Sequence, residues 1–362
     1  MSSVKKAIAI LAGDGIGPEV MTQALRVLCK IEELYGHEFR CTEGLIGGAA
    51  FDVHGMHFPK ETEEIARSSD AILFGSVGGP VADGLSPKWK DCEKHSILGL
   101  RKAFAFNANF RPARVYPALQ DRCPLKRELV EQGVDLLVIR ELLGDIYFGF
   151  HETVVENGVR VARDIAEYTE TQIRSIAEVG FRAAQERKKK LVSVDKANVL
   201  DTSRLWRTVI DEVAQKFPEV SYSHMYVDNC AMQIIQSPAQ FDVILTSNLF
   251  GDILSDAAAV LPGSLGLTPS ASLSASGFGM YEPSGGSAQD IAGLGVANPA
   301  AQILCVAMML RFSFGLSHEA DVIERAVEEA LNSGCRTQDI AIPGQEVVNT
   351  SQFTDKVLEG IR

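Results

Sequence analysis

The feature that most limits how this chain can fold is its regular alternation of two kinds of segment. Short apolar runs rich in β-branched residues, AIAILA (7–12), DAILFG (70–75), VDLLVIREL (134–142), KLVSVD (190–195) and FDVILTS (241–247), are separated by longer stretches of helical period. The last three are apolar enough to be buried on both faces, as strands flanked by helices are. The pattern predicts an α/β fold with a mostly parallel central sheet. Two helical stretches carry start signals. PEVMTQALRVLCKIEELY (18–35) opens on Pro18, which suits a first helical position, and TETQIRSIAEVGFRAAQERKKK (169–190) opens with the capping box Thr169-x-x-Gln172.

At 362 residues the chain exceeds a typical single domain, so two domains or one large α/β unit are expected. Glycine and proline concentrate at 44–59, 75–87 and 262–286, which predicts loops or boundaries there, and 143–168 reads as an arm or hairpin. A formal charge of −12 opposes a polyanion-binding surface, so nucleic acid is not an expected partner. The 7 cysteines are scattered, odd in number and never spaced C-x-x-C, which points to a reducing cytoplasm rather than a disulfide framework or zinc site. Lys5-Lys6 before AIAILA imitates a signal peptide, but the apolar run ends at Gly13, and no run reaches the ~18 residues of a membrane span.

GDGIGPE (13–19) lies between a strand and a helix, where a dinucleotide fingerprint would sit, yet Pro18 stands where G-x-G-x-x-G needs glycine. By itself it reads as a tight turn. NLFGDILSDAAAVLP (248–262) carries Asp252 and Asp256 on one helical face. Like charges at that spacing repel unless a hard cation such as Mg²⁺ or Mn²⁺ lies between them; the alternative is a solvated face. LVSVDKANVL and MYVDNCAM place Asp195-Lys196 and Asp228 at strand ends, where open α/β sheets bind ligands. Lys196 is either a surface ion-pair partner or a general base. Arg101, Arg111 and Arg140 supply guanidinium groups suited to carboxylates, and Tyr147 follows seven residues after Arg140.

These blocks, with GSVGGP, FRPARVYP, RELLGDIYFG, LPGSLGL and GFGMYEPSGGSAQDIAG followed by ANP, resemble the isocitrate/isopropylmalate family of β-decarboxylating dehydrogenases over nearly the whole chain. The resemblance implies a two-domain fold that is not a Rossmann fold: residues 1–106 with 263–362 on the cofactor side, and 107–262 carrying dimerisation, metal and catalytic residues. It implies an active site in the cleft between them, and a homodimer in which each subunit lends a lysine and an aspartate to the other's site. Carried over block by block, Lys196 and Tyr147 are the acid–base pair. Arg101, Arg111 and Arg140 hold the carboxylates of a 2-hydroxy dicarboxylate, and Asp228, Asp252 and Asp256 hold Mg²⁺ or Mn²⁺. Apolar Ile97, Leu98 and Val199 suit the isopropylmalate branch of leucine biosynthesis, since an isopropyl group buried there contributes roughly 2–3 kcal/mol of preference. D-malate, isocitrate and homoisocitrate are the alternatives within the family, and a silent regulatory subunit the alternative outside catalysis.

The same resemblance makes YEPSGGSAQDIAG an NAD loop, with Glu282, Gly285, Gly286, Ser287, Ala288, Asp290 and Asn298 at the cofactor. Asp290 would accept the adenine-ribose hydroxyls and repel the 2′-phosphate of NADP. Four positions depart from the family: Gly285 and Gln289 stand where histidine and proline are frequent, and Leu143 and Asp145 where threonine and glycine are. The stretch VADGLSPKWKDCEKHS (81–96) also lacks Lys-Trp directly after GGP.

Overall fold

The computed structural model describes residues 3–362. In chain order its strands are β1 (Lys5–Gly13), β2 (Glu38–Glu43), β3 (Ala71–Ser76), β4 (Phe106–Arg114), β5 (Asp135–Glu141), β6 (His151–Glu156), β7 (Val159–Asp164), β8 (Lys190–Asp195), β9 (Ser221–Tyr226), β10 (Val243–Thr246), β11 (Pro269–Ser274) and β12 (Gly279–Pro283). The chain divides into two compact units. One comprises Met1–Phe104, Val115–Pro124 and Pro262–Arg362, and the other Ala105–Arg114 and Leu125–Leu261.

In the first unit the strand order is β2-β1-β3-β12-β11, parallel except for the β11–β12 pair. The helix Ala300–Phe312 is apolar all round and packs on β3, β11 and β12. The helices Gly17–Tyr35 and Ser317–Asn332 flank it. The glycine- and proline-rich interval 262–286, read as loop or boundary, opens at the unit boundary Pro262 but also holds β11 and β12. Their ladder satisfies the backbone, and small buried residues such as Ser270, Ala271 and Ser272 fit beneath the covering helix where larger ones would not.

The second unit has the order β4-β5-β10-β8-β9, parallel except for β4–β5. β10 is buried along its whole length and β8 at all but Lys190, the consequence of helices on both faces. The helix Glu170–Glu186 begins with the capping box read from sequence, Thr169 and Gln172 exchanging side-chain and backbone hydrogen bonds. β6 and β7 form a separate antiparallel hairpin. Among the described residues no helix is long and apolar enough to cross a membrane.

Candidate active site

In the second unit the charged residues converge on the helix Asn248–Ala259, which follows β10. Arg140, at the end of β5 and 3% exposed, donates from Nε to Asn248 Oδ1 at 2.9 Å and from Nη1 to Asp252 Oδ1. Gly251 permits this approach, because a Cβ there would stand 2.7 Å from the Arg140 side chain. The Tyr147 hydroxyl donates to Asp252 Oδ2 at 2.7 Å, and the Arg140 guanidinium carbon lies 5.3 Å from its ring centroid. Burial first, and then Asp252, raises the phenol above its usual range, so it is a protonated donor at neutral pH. One turn further, Asp256 accepts from Arg111 Nη1 at 2.7 Å, while Arg111 Nε is fixed by Asn109 Oδ1 at 2.8 Å. The like-charge repulsion read from sequence is thus offset by a guanidinium on each carboxylate.

Lys196 sits in the turn after β8 and donates to Asp228 Oδ1 at 2.6 Å. That bond holds the Asp228 carboxyl below the usual carboxylate range. Asp195 takes no part. It is buried, accepting from Ala197 N–H at 2.8 Å and Arg207 Nε at 2.6 Å, and so shapes the turn. Val199 is 61% exposed on this chain. Asp252 and Asp256 are hard oxygen donors one helical turn apart, a chemistry that fits Mg²⁺ or Mn²⁺ with substrate oxygens and water completing the shell. Among the described residues no three His, Cys, Asp or Glu side chains gather as a metal site.

The first unit holds a cavity of about 310 Å³ walled by Ile16, Leu265, Gly266, Ala288, Ile291 and Asn298, among others. Of the expected cofactor residues, Gly285, Gly286, Ala288 and Asn298 line it. Ser287 lies behind it, its carbonyl accepting from Ile16 N–H at 2.8 Å. Gly15 is required for that contact: its φ is +58°, and a Cβ would stand 1.9 Å from the Ser287 carbonyl oxygen. Asp290 is exposed. Glu282 is buried on β12, 3.5 Å from Arg101 Nη2. Ile97 and Leu98 are half-buried in the first turn of the helix Ile97–Ala103, which also carries Arg101.

Several contributors went unread in the sequence. Asp14 accepts from the backbone N–H groups of Gly48, Ala49 and Gly78 at 2.9, 2.8 and 3.1 Å, tying the first turn to the GGP turn. Gln289 Nε2 donates to Gly78 O at 2.6 Å. The detour at 81–96 brings Lys-Trp back to that same turn. A Cβ on Gly79 or Gly48 would meet the Trp89 ring at 2.1 or 2.2 Å, and Lys88 Nζ lies 4.6 Å from the ring centroid. Leu265 and Gly266 were legible only as part of a larger block, since nothing in LPGSLGL marks a cavity wall, and Asp339, which also lines the cavity, lay outside every block.

The comparisons with known proteins agree along the chain. The model of the isocitrate/isopropylmalate dehydrogenase family matches residues 7–357. The 3-isopropylmalate dehydrogenase of Geobacter metallireducens is 52% identical over 361 residues, covering 99% of this chain and 99% of that protein. That of Aquifex aeolicus is 52% identical over 358 residues, covering 99% and 97%. Among solved structures, the isocitrate dehydrogenase of Methylococcus capsulatus matches with a TM-score of 0.85 at 32% identity, covering 98% of this chain and 99% of that one. Matched over almost its entire length, the chain belongs to the isocitrate/isopropylmalate dehydrogenase family.

Proposed function

We propose that the chain catalyses the NAD-dependent oxidative decarboxylation of 3-isopropylmalate to 4-methyl-2-oxopentanoate and CO₂, a step of leucine biosynthesis. Names borne by relatives about half identical to it support the reaction. The observation that carries it is the convergence of two guanidinium groups and a protonated phenol on the two carboxylates of one helix.

In this reading Arg111 and Arg140 exchange their aspartate partners for substrate carboxylates when metal and substrate arrive, and Arg101 adds a third clamp. Asp252 and Asp256 would hold Mg²⁺ or Mn²⁺, which would supply Lewis-acid activation of the substrate hydroxyl, and the first unit's cavity would hold NAD, which would supply the hydride acceptor. Lys196 takes the hydroxyl proton. Tyr147, kept protonated by burial and Asp252, donates the proton that the substrate carbon needs after CO₂ departs. We assign Lys196 and Asp228 to the opposite subunit of a homodimer, so that the partner subunit's Asp228 joins Asp252 and Asp256. The exposure of the Asp228 side chain, 61%, is consistent with that assignment. The preference for NAD over NADP rests on the family resemblance, in which the Asp290 carboxylate accepts the adenine-ribose hydroxyls and repels a 2′-phosphate.

Turnover is tested by NADH formation with Mn²⁺ across 3-isopropylmalate, D-malate, isocitrate and homoisocitrate, each with NAD and with NADP. The highest kcat/KM is expected for 3-isopropylmalate with NAD. Faster D-malate turnover would overturn the substrate, and no turnover of any of the four would favour a regulatory subunit.

A further inference from the structure

Asp145 stands where the family resemblance leads one to expect glycine, and its φ of +71° shows why glycine suits the position. Aspartate is among the few other residues that tolerate this conformation, through local hydrogen bonds of its side chain. Here Oδ1 accepts from its neighbour Ile146 N–H at 2.9 Å, and Asp145 N–H donates to Glu167 O at 3.0 Å. Oδ2 reaches much further along the chain, accepting from Leu249 N–H at 3.1 Å.

Leu249 lies in the first turn of the helix Asn248–Ala259, whose own N-cap residue, Ser247, makes no side-chain capping bond. The Asn248 N–H is taken by the Tyr168 hydroxyl at 2.9 Å. Asp145 therefore supplies, from 104 residues earlier, the acceptor and negative charge that a helix start ordinarily draws from its N-cap. Two residues after Asp145 is Tyr147, and three after Leu249 is Asp252, which accepts from Tyr147. The 145–249 and 147–252 hydrogen bonds close one ring around the reacting groups.

We propose that Asp145 is a positioning residue that caps the metal-binding helix from outside and fixes the Tyr147 phenol against Asp252. The proposal rests on the assignment of Asp252 as a metal ligand and Tyr147 as the acid. Replacing Asp145 with glycine keeps the backbone conformation and removes only the clip, so the variant is expected to fold.

The test compares wild type, Asp145→Gly, Asp145→Asn and Thr169→Ala, the last removing a capping box from a helix that bears no site residue. For Asp145→Gly, Mn²⁺ binding to the NAD-free, substrate-free protein is expected to weaken about tenfold, as when a group supporting a metal ligand is lost. Turnover with 3-isopropylmalate is expected to fall about tenfold while KM for NAD holds. The Tyr147 ring, followed by NMR of ring-labelled tyrosine, is expected to leave its fixed environment, its resonances shifting toward those of a solvent-exposed tyrosine. Asp145→Asn, which keeps one acceptor and tolerates the conformation, is expected to recover most of each effect. Thr169→Ala is expected to lose thermal stability alone.

An Asp145→Gly protein that loses stability as Thr169→Ala does, with Mn²⁺ affinity, turnover and the Tyr147 ring resonances unmoved, would overturn the proposal. A wild type that neither binds Mn²⁺ nor turns over would sink the functional assignment instead. The Tyr147 ring resonances would then still report whether Asp145 holds Tyr147 in place.

Discussion

In the first unit the cavity is walled largely by backbone and small side chains, with Gly15 pressed against the Ser287 carbonyl, whereas in the second the reacting groups are charged side chains bonded to one another. The first arrangement is limited by space, because a single added carbon collides with main chain that cannot turn aside. The second is limited by charge, because each arginine and aspartate is held by the other. Damage should therefore differ in kind. Substitutions in the first unit should weaken cofactor binding, and those in the second should stop chemistry while cofactor binding persists.

The largest expected effect is at Asp252. Asp252→Asn removes a carboxylate assigned to the metal in the proposed function, and kcat should fall about a thousandfold or more, read as NADH formation. Charge repulsion alone would predict that this variant is more stable. The structure predicts the opposite, since Asp252 is the ion-pair partner of Arg140, whose guanidinium is buried. A raised melting temperature, or unaltered turnover, would refute this account of the charged cluster. NAD affinity measured by calorimetry should stay at the wild-type value.

Tyr147→Phe comes next, with an expected loss in kcat of about a hundredfold, the scale of a missing general acid. Its pH dependence has a definite sign. Burial and Asp252 raise the phenol above its usual 10.0, so the fold favours the protonated form. Its stabilising contribution is complete below pH 10 and is lost only as pH climbs through the higher folded value. A wild-type alkaline limb well below pH 10 that disappears in Tyr147→Phe would contradict this.

In the first unit, Gly15→Ala sets a Cβ 1.9 Å from the Ser287 oxygen at a φ of +58°. NAD affinity should weaken about ten- to a hundredfold through strain of roughly 1–3 kcal/mol. Mn²⁺ binding in the second unit should not change. If both ligands weaken together, the contrast between the units fails.

The same contrast governs what could be read from sequence. Strand runs such as KLVSVD and the capping box at Thr169 are local signals, and they recur in the structure where the pattern put them. Asp252 and Asp256 were legible as two carboxylates on one helical face, a spacing also common on solvated faces, and only the surrounding family blocks pointed them to a metal. β4, β11 and β12 were hidden because asparagine, serine, glycine and proline interrupt them, and only the ladder shows where their backbone bonds go. The cavity was hidden for a related reason. Its walls are mostly glycines and apolar residues, with a few polar ones, drawn from five separate stretches, and nothing in any one stretch marks an enclosure. Asp145 was visible as a departure, but its partner Leu249 lies 104 residues away, so its purpose was not.

The smallest expected effect tests how the cofactor loop is held. Proline is frequent at position 289 in the family, and here Gln289 bonds to the Gly78 carbonyl at 2.6 Å. Gly78 N–H is in turn held by Asp14, and Trp89 packs on Gly79, so the glutamine ties the loop to a turn already fixed on two sides. Gln289→Glu keeps the length of the side chain but replaces its donor with a second acceptor facing a carbonyl. The lost hydrogen bond, worth about 0.5–1.5 kcal/mol net, should raise KM for NAD about threefold with kcat and KM for 3-isopropylmalate unchanged. Gln289→Pro should recover the difference by another route, since a ring that restricts the free loop replaces a bond that restrains it. Recovery by proline alone would show that stiffness is what the position supplies. If neither variant moves KM for NAD, the loop is held at Ser287 and Ile16, and the backbone does in this unit everything that side chains do in the other.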